Sequence, residues 1–564
     1  MYVLFDTDAF YKETPMTPAA PAAPAAPADI ALFERPEIYA KRWFLLGIMC
    51  LSLVMVVMAV SGLNVAIPSI QSSLGASATD LQWIVDSYAI IFAGLLISAG
   101  AIGDRFGRKR ALQGGLLLFG VGSIIGTFAG DVTVVIVSRA VMGIGAAFVM
   151  PATLSIISAI FAPQERSKAI AVWAGFAGAG GALGPLVVGF LLTDWWVFPA
   201  YWWGAAFLFN VVTVAITLTA VSIWAPRSKD DESTPLDPVG AVLSIVGLAA
   251  LLFGIIEGPV KGWSSTPVIA GFVLAIVGLG GFIVWELRTK HPMLPMTFFR
   301  NGGFSLGSGV ITFAFFVMFG FFFLMTQFLQ FVRDYSPLDA GVATLPLAVA
   351  LVMVSPRSAA VSEKFGASRV MALGFGFITA GFTVMAFVEA STNYLVIALG
   401  LVLLGIGMGI TVAPATGSIM SAVPLNKAGV GSAVNDTTRE VGGALGIAVL
   451  GSIANSAYRS GISDDVLASL PRESAGPAAE SIGAAVQIAG DPRLPAEVAL
   501  RLGEEARAAF TDAFNSSLAS AAAIAAVIGV AVFVFGRRTD AAPGTHPTDE
   551  AADETTPTPA DLAS

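Results

Sequence analysis

The chain has 564 residues, 56% of them hydrophobic and only 12% charged, with a mean hydropathy of +0.80. Soluble domains carry about 25% charged residues, so a water-soluble multidomain protein is excluded, because so much apolar surface could not be kept from water. The net charge of −9 argues against nucleic-acid binding, which needs basic side chains against phosphates.

Residues 1–42 are polar and rich in Pro and Ala, with prolines at Pro18, Pro21, Pro24 and Pro27. Such a composition buries no core and predicts a disordered tail. It has no short apolar stretch with a cleavage site, so no cleavable signal peptide is expected, and Met16 is a candidate start. Long apolar runs follow. A helix needs roughly 20 apolar residues to cross a hydrocarbon core of about 30 Å. Fourteen segments meet that length: 43–67, 81–102, 111–129, 132–154, 169–192, 201–224, 239–256, 268–287, 304–332, 340–361, 370–387, 394–413, 430–453 and 518–535. They are about twice as long as barrel strands and do not alternate, so the fold class is all-α and polytopic. The segment 455–511 is polar and acidic, contains helical amphipathic stretches and reads as a long outer loop that forms an outer cap. Residues 537–564 read as a disordered acidic tail. The single cysteine, Cys50, lies in an apolar run and excludes an intrachain disulfide.

Charge placement tests the count. With the N-terminus in the cytoplasm, 21 of the 30 Lys and Arg fall on the cytoplasmic side, and the short outer loops hold only Lys261 and Arg333. That asymmetry is the positive-inside pattern, and it predicts both termini in the cytoplasm.

The chain also repeats itself. Gly180-Gly-Ala-Leu-Gly184 recurs as Gly442-Gly-Ala-Leu-Gly446. The loop Gly103-Asp-Arg-Phe-Gly-Arg-Lys-Arg110 matches Ser362-Glu-Lys-Phe-Gly-Ala-Ser-Arg369. Gly143-Ile-Gly145 with Pro151-Ala-Thr153 matches Gly405-Ile-Gly407 with Pro414-Ala-Thr416. The near-constant offset predicts an N-terminal six-helix bundle over 43–224 and a second, in the same orientation, over 304–536. Two inserted spans would lie between them in 225–303. Parallel halves of this kind place a substrate site between them near mid-membrane.

Several residues stand out chemically. The second span opens on Leu81-Gln-Trp83-Ile-Val-Asp86-Ser-Tyr88, and the fourth carries Arg139, followed by Gly143 and Gly145. A charge inside a span costs roughly 2.5–3.5 kcal/mol on insertion scales, so a functional role is the default. Asp86 and Arg139 are at comparable depth and are expected either to interact across an outer cavity or, for Asp86, simply to reach interfacial water. In the thirteenth span Asp436, Arg439 and Glu440 share one helix face. Two carboxylates beside one arginine cannot both be balanced, so one is expected to hold an exchangeable proton or a cationic substrate. The competing reading starts that span later and leaves the triad as a solvated cap. Trp195 to Trp203 reads as an interfacial aromatic belt. Glu257, Asp334 and Glu389 read as solvated helix ends.

The loop Gly100-Ala-Ile-Gly-Asp104-Arg105-Phe-Gly107-Arg108-Lys109-Arg110 matches in full the signature G-x-x-x-D-R-x-G-R-R/K-R/K of the major facilitator superfamily. The chain from 43 to 535 resembles that superfamily's fourteen-span drug:proton antiporters. The resemblance implies a major facilitator fold and a cytoplasmic latch made of Gly100, Asp104, Arg105, Gly107, Arg108, Lys109 and Arg110. The segment with Gly180, Gly184, Pro185 and Gly189 resembles the exporter motif G-x-x-x-G-P-x-x-G-G, with Val188 in place of one closing glycine. Arg139 with Gly143 and Gly145 resembles R-x-x-x-G-x-G, whose arginine is implicated in proton coupling. The end of the first span resembles T-x-x-N-V-A-L-P, but Ala59 stands where the pattern has an aspartate.

The expectation is therefore a proton-coupled antiporter in the cytoplasmic membrane. It would export amphipathic or cationic compounds by alternating access, with Asp86, Arg139, Asp436, Arg439 and Glu440 in coupling or substrate binding. Its partners would be a small amphipathic substrate, protons and the lipid bilayer. Export of a lipid or a metabolite on the same scaffold is the alternative. No G-x-x-x-x-G-K-[ST] loop occurs, so no ATP is expected. The only histidines are His291 and His546, so no metal, no cofactor and no membrane-embedded enzyme chemistry is expected.

Overall fold

The computed structural model describes residues 32–76, 78–192, 202–227 and 237–540. Most of the segment 1–42, residues 195–201 of the expected aromatic belt and residues 541–564 of the acidic tail lie outside it. Among the described residues every regular element is helical. The first half comprises α1 (Pro36–Ser61), α2 (Leu63–Leu74), α3 (Ala78–Phe106), α4 (Arg108–Thr127), α5 (Val132–Ile160), α6 (Pro163–Leu191) and α7 (Gly204–Trp224). The inserted pair is α8 (Pro238–Lys261) and α9 (Thr266–Glu286). The second half comprises α10 (Gly302–Gln327), α11 (Pro337–Ala343), α12 (Leu345–Phe365), α13 (Ala367–Met385), α14 (Tyr394–Ser421) and α15 (Ala428–Gly461). Three short helices follow, α16 (Asp464–Ala468), α17 (Arg472–Glu480) and α18 (Ile482–Ala489), and the chain closes on α19 (Ala496–Asp540).

Local chemistry sets the helix ends. Asp131 caps α5 by accepting from Val134 N at 3.0 Å, and Asp237 caps α8 by accepting from Gly240 N at 2.8 Å. Asn301 and Asn393 cap α10 and α14 in the same way. Gly107 at φ +108° and Gly366 at φ +87° turn the chain between α3 and α4 and between α12 and α13. These positive angles favour glycine, and the two glycines occupy equivalent places in the repeat.

Among the described residues twelve helices are long and apolar enough to cross a membrane, and the chain is a multi-pass membrane protein. A thirteenth is counted if the two parts of α6, Pro163–Gly181 and Leu183–Leu191, bent by 41°, form one span. Pro185 explains the bend, because it has no N–H for the Gly181 carbonyl and its ring crowds that carbonyl. The count of fourteen is not reached by this measure. The remaining expected span is α4, where Arg108-Lys109-Arg110, Gln113 and five glycines dilute the apolar run.

The repeat is visible in the packing. In the first half α4 lies on α5 and α7, α3 on α5, and α1 on α6. In the second half α13 lies on α14 and α19, α12 on α14, and α10 on α15. Equivalent glycines allow equivalent close approaches. A Cβ on Gly145 would lie 2.5 Å from Phe119 N, and one on Gly407 would lie 2.7 Å from Gly374 O. The two halves meet where α3 packs on α15 and α6 on α12. The inserted helix α8 packs on α3 and also on α15, so it touches both halves.

Two boundaries differ from expectation, and the helical stretches expected in 455–511 are present. The helix α1 begins at Pro36, inside the segment 1–42 expected to be disordered, because Pro36 suits a first helical turn. The polar segment 455–511 is largely helical. The helix α15 runs through to Gly461 and α19 starts at Ala496, and α16 to α18 bury Val466, Ala478, Ile482 and Ala485 in the core of the second half. The first span is broken at Gly62, where Gly184 of α6 comes so close that a Cβ on Gly62 would lie 3.0 Å from its carbonyl.

Candidate functional site

The two ends of the molecule are distinguished by the 103–110 loop, which marks the loop end; the opposite end carries α16 to α18. At the loop end Asp104, 6% exposed, accepts from Gly429 N at 3.0 Å and Val430 N at 3.2 Å, the first amides of α15. Arg108 Nε donates to Asp104 at 3.2 Å, and Arg108 Nη2 donates to the Leu425 carbonyl. The basic loop of the first half therefore caps a helix of the second with a carboxylate, which the positive N-terminus of α15 favours. Gly100 makes this possible, because a Cβ there would lie 2.5 Å from Gly429 O. Lys109 points the other way and donates to the Ser222 and Ala225 carbonyls, both at 2.8 Å. Arg105 lies 5.5 Å from the Phe106 ring, and Arg110 is exposed.

The triad on α15 is deeper. Asp436 is 1% exposed and Arg439 6%, and Glu440 is partly buried. A solvated cap is therefore not what the geometry presents, because α15 starts eight residues earlier at Ala428. Arg439 Nη1 lies 3.7 Å from Asp436 Oδ1. Asn435 Nδ2 donates to the same oxygen at 3.2 Å, and Asn435 Oδ1 accepts from Thr416 Oγ1 of α14 at 3.0 Å. The Arg439 guanidinium lies 4.5 Å from the Phe315 ring of α10 and 6.0 Å from Trp173 of α6. Trp173 donates to Thr153 of α5 at 3.2 Å. The cluster thus joins side chains of both halves, with two acids to one base. Asp436 Oδ2 and Arg439 Nε have no hydrogen-bond partner. Sequence alone had not linked Trp173 or Phe315 to this place, since both sit in unbroken apolar runs.

Arg139 is 1% exposed but does not pair with Asp86; no ion pair between them occurs within 4.0 Å. Its Nε donates to the Ile84 carbonyl at 3.2 Å, its Nη1 to the Ala59 carbonyl at 3.5 Å, and its guanidinium lies 4.3 Å from the Tyr88 ring. Ile84 and Tyr88 are one turn apart and face α5, whereas Asp86 lies midway between them and projects elsewhere. A small cavity beside Ala59 and Arg139 is lined also by Met58, Leu63, Asn210 and Phe207. It opens where the resembled pattern would place an aspartate side chain.

The glycine motif of α6 is a packing surface. A Cβ on Gly184 would lie 2.8 Å from Gly62 N, and one on Gly180 would meet Val57 at 3.0 Å. A Cβ on Gly189 would lie 3.8 Å from Leu338 Cα, and Pro185 supplies the bend already described. Glu257, expected to be solvated, is 1% exposed and pairs with Lys261 at 3.1 Å. Its helix face is turned to α3, not to water.

These features have known counterparts. The sequence model of the Major Facilitator Superfamily matches residues 49–447. The chain belongs to the major facilitator superfamily. It is a transporter and not an enzyme. The multidrug efflux pump LfrA of Mycolicibacterium smegmatis is 34% identical over 496 residues, covering 87% of this chain and 96% of that protein. The methyl viologen resistance protein SmvA of Salmonella typhimurium is 32% identical over 496 residues, covering 87% of this chain and 98% of that one. The fold resembles that of a bacterial homologue of the human lysosomal transporter Spinster, with a TM-score of 0.56 at 17% identity over 90% of this chain and all of the other.

Proposed function

We propose that this transporter exports amphipathic, cationic compounds across the cytoplasmic membrane in exchange for protons, with both termini in the cytoplasm. The observation that carries the reading is the buried Asp436–Arg439–Glu440 cluster between the halves. It has one acid more than it has bases, and aromatic rings line it. A buried surplus carboxylate has to be neutralised by a cation. A proton and an aromatic cation are alternative occupants of the same charge, and mutual exclusion of the two is what exchange requires. Aromatic faces favour an organic cation further. The Asp104–α15 cap supports alternation, because it can hold one end of the interface closed and break when that end opens. The names of LfrA and SmvA, an efflux pump and a resistance protein, agree with export. No cofactor is needed: one charge moved through 100 mV yields about 2.3 kcal/mol.

The test is uptake of ethidium into inside-out proteoliposomes carrying the full chain under an imposed pH gradient. Wild type accumulates the dye, and Asp436→Asn with Glu440→Gln does not. Uptake by the double variant at the wild-type rate, with the same pH dependence, refutes the assignment of the site. Wild type that exchanges dye but never accumulates it against a gradient refutes proton coupling.

A further inference from the structure

The inserted pair of helices has so far no task. The contact of Gly94 with α8 fixes how α3 and α8 lie against each other, because a Cβ on Gly94 would lie 3.4 Å from Ala249 Cβ. The two helices are antiparallel. Asp86 is eight residues from Gly94 toward the end opposite the loop, and Glu257 is eight residues from Ala249 in the same direction. Both carboxylates therefore stand about 12 Å above that contact, at one level. Trp83 and Phe253 seal the same seam, with ring centroids 6.4 Å apart. Asp86 is 6% exposed, its Oδ2 has no hydrogen-bond partner, and its carboxylate feels the charge of Glu257. Glu257 is 1% exposed and has Lys261, 38% exposed, as its ion-pair partner.

The other charges around Asp86 do not balance it. Arg139 of α5 is engaged by the Ile84 and Ala59 carbonyls and the Tyr88 ring. From α15 Glu440 acts on Tyr88 and is itself acidic. Asp80 lies one and a half turns toward the end of α3. The seam thus holds two carboxylates and one ammonium. A single bound proton makes it neutral, and a buried neutral cluster is the one a membrane tolerates.

We propose that Asp86 and Glu257 form a second proton-binding site, in which the inserted helix α8 supplies one of the two carboxylates. The proposal rests on the proton-exchange reading above. The proton comes from the water at the Lys261 end and adds to a carboxylate oxygen of the pair. It is released to the other aqueous phase when the halves rearrange. The contacts of α8 with both α3 and α15 place the seam where movement of one half against the other is felt. This gives the inserted helices a part in energy coupling.

The experiment uses the reconstituted full chain, with ethidium as probe. For each proton exchanged, one unit of pH gradient sustains about a tenfold substrate gradient. Glu257→Gln should lower the largest ethidium gradient held by one pH unit by about tenfold. Ethidium counterflow, which needs no proton gradient, should continue. Lys261→Met should shift the pH dependence of transport to the alkaline side, because loss of the ammonium makes the pair hold its proton more tightly. Wild-type coupling with an unchanged gradient in Glu257→Gln overturns this proposal and leaves proton exchange standing. Wild type that counterflows ethidium but never accumulates it overturns both. Should Glu257→Gln lose counterflow as well, the Lys261→Met profile decides: an alkaline shift supports the pair, and an unshifted profile overturns it.

Discussion

Replacing Asp104 with Asn tests whether the loop end of the interface is held by one carboxylate. Asp104 accepts three hydrogen bonds, from Gly429 N, Val430 N and Arg108 Nε, at 3.0 to 3.2 Å. Asparagine offers one acceptor oxygen and turns an NH₂ toward groups that are themselves donors. Bonds to a charged group are worth about 1.5–3 kcal/mol each, and the favourable interaction with the N-terminus of α15 is lost as well. Losing one such bond and the charge costs about 3 kcal/mol, all of it in the conformer closed at this end. At about 1.4 kcal/mol per decade, the closed population falls roughly a hundredfold relative to the open one. The exposed positions Arg110 and Asn426 lie on either side of this contact. Substituting both with Cys in a Cys50→Ala background, and spin-labelling them, reads the distance directly by pulsed electron resonance. Wild type should give a short, narrow distribution. Asp104→Asn should move most of it to longer distances. An unmoved distribution in the variant refutes the view that this carboxylate holds the end closed.

Other substitutions follow from the same geometry. Gly184→Ala puts a Cβ 2.8 Å from Gly62 N and should cost about 1–3 kcal/mol of stability through overpacking, seen as a lower melting temperature in detergent. Gly181→Ala, where a Cβ meets nothing within 4 Å, should leave it unchanged. Arg439→Ala strands two acids inside the protein. Loss of one partner of a buried pair costs about 3–5 kcal/mol, so its melting temperature should fall further than that of the double neutral variant Asp436→Asn with Glu440→Gln. Arg507→Ala breaks an ion pair with Asp334 at 2.8 Å whose partners are 40% and 63% exposed. It should change stability by less than about 1 kcal/mol, measured in the same melting assay.

The membrane class, the all-helical architecture and the internal repeat were legible because each rests on patterns local in sequence: apolar run length, and motifs recurring at one offset. The glycines at 107 and 366 and the stripes at 180–184 and 442–446 carried their meaning in the same way, since a turn or a close approach demands a small residue wherever it occurs. The span count was less secure. It treats each apolar run alone, and α4 and α6 are runs diluted by charge or bent by Pro185. The helices of 455–511 were legible as amphipathic stretches but their packing was not, because their small apolar faces are buried against α15, α19, the 328–332 segment and one another.

Membrane residence, the repeated glycine motifs and the superfamily's signature loop can be read from the order of residues, since chemistry written along the chain suffices for these. Which charges meet is set by how the helices pack. That packing sends Arg139 to carbonyls and a ring instead of to Asp86, buries Glu257 beside α3, and brings Trp173 to Arg439 across the halves. Side-chain partnership depends on the rotation and register of packed helices, and neither quantity is a property of one helix alone.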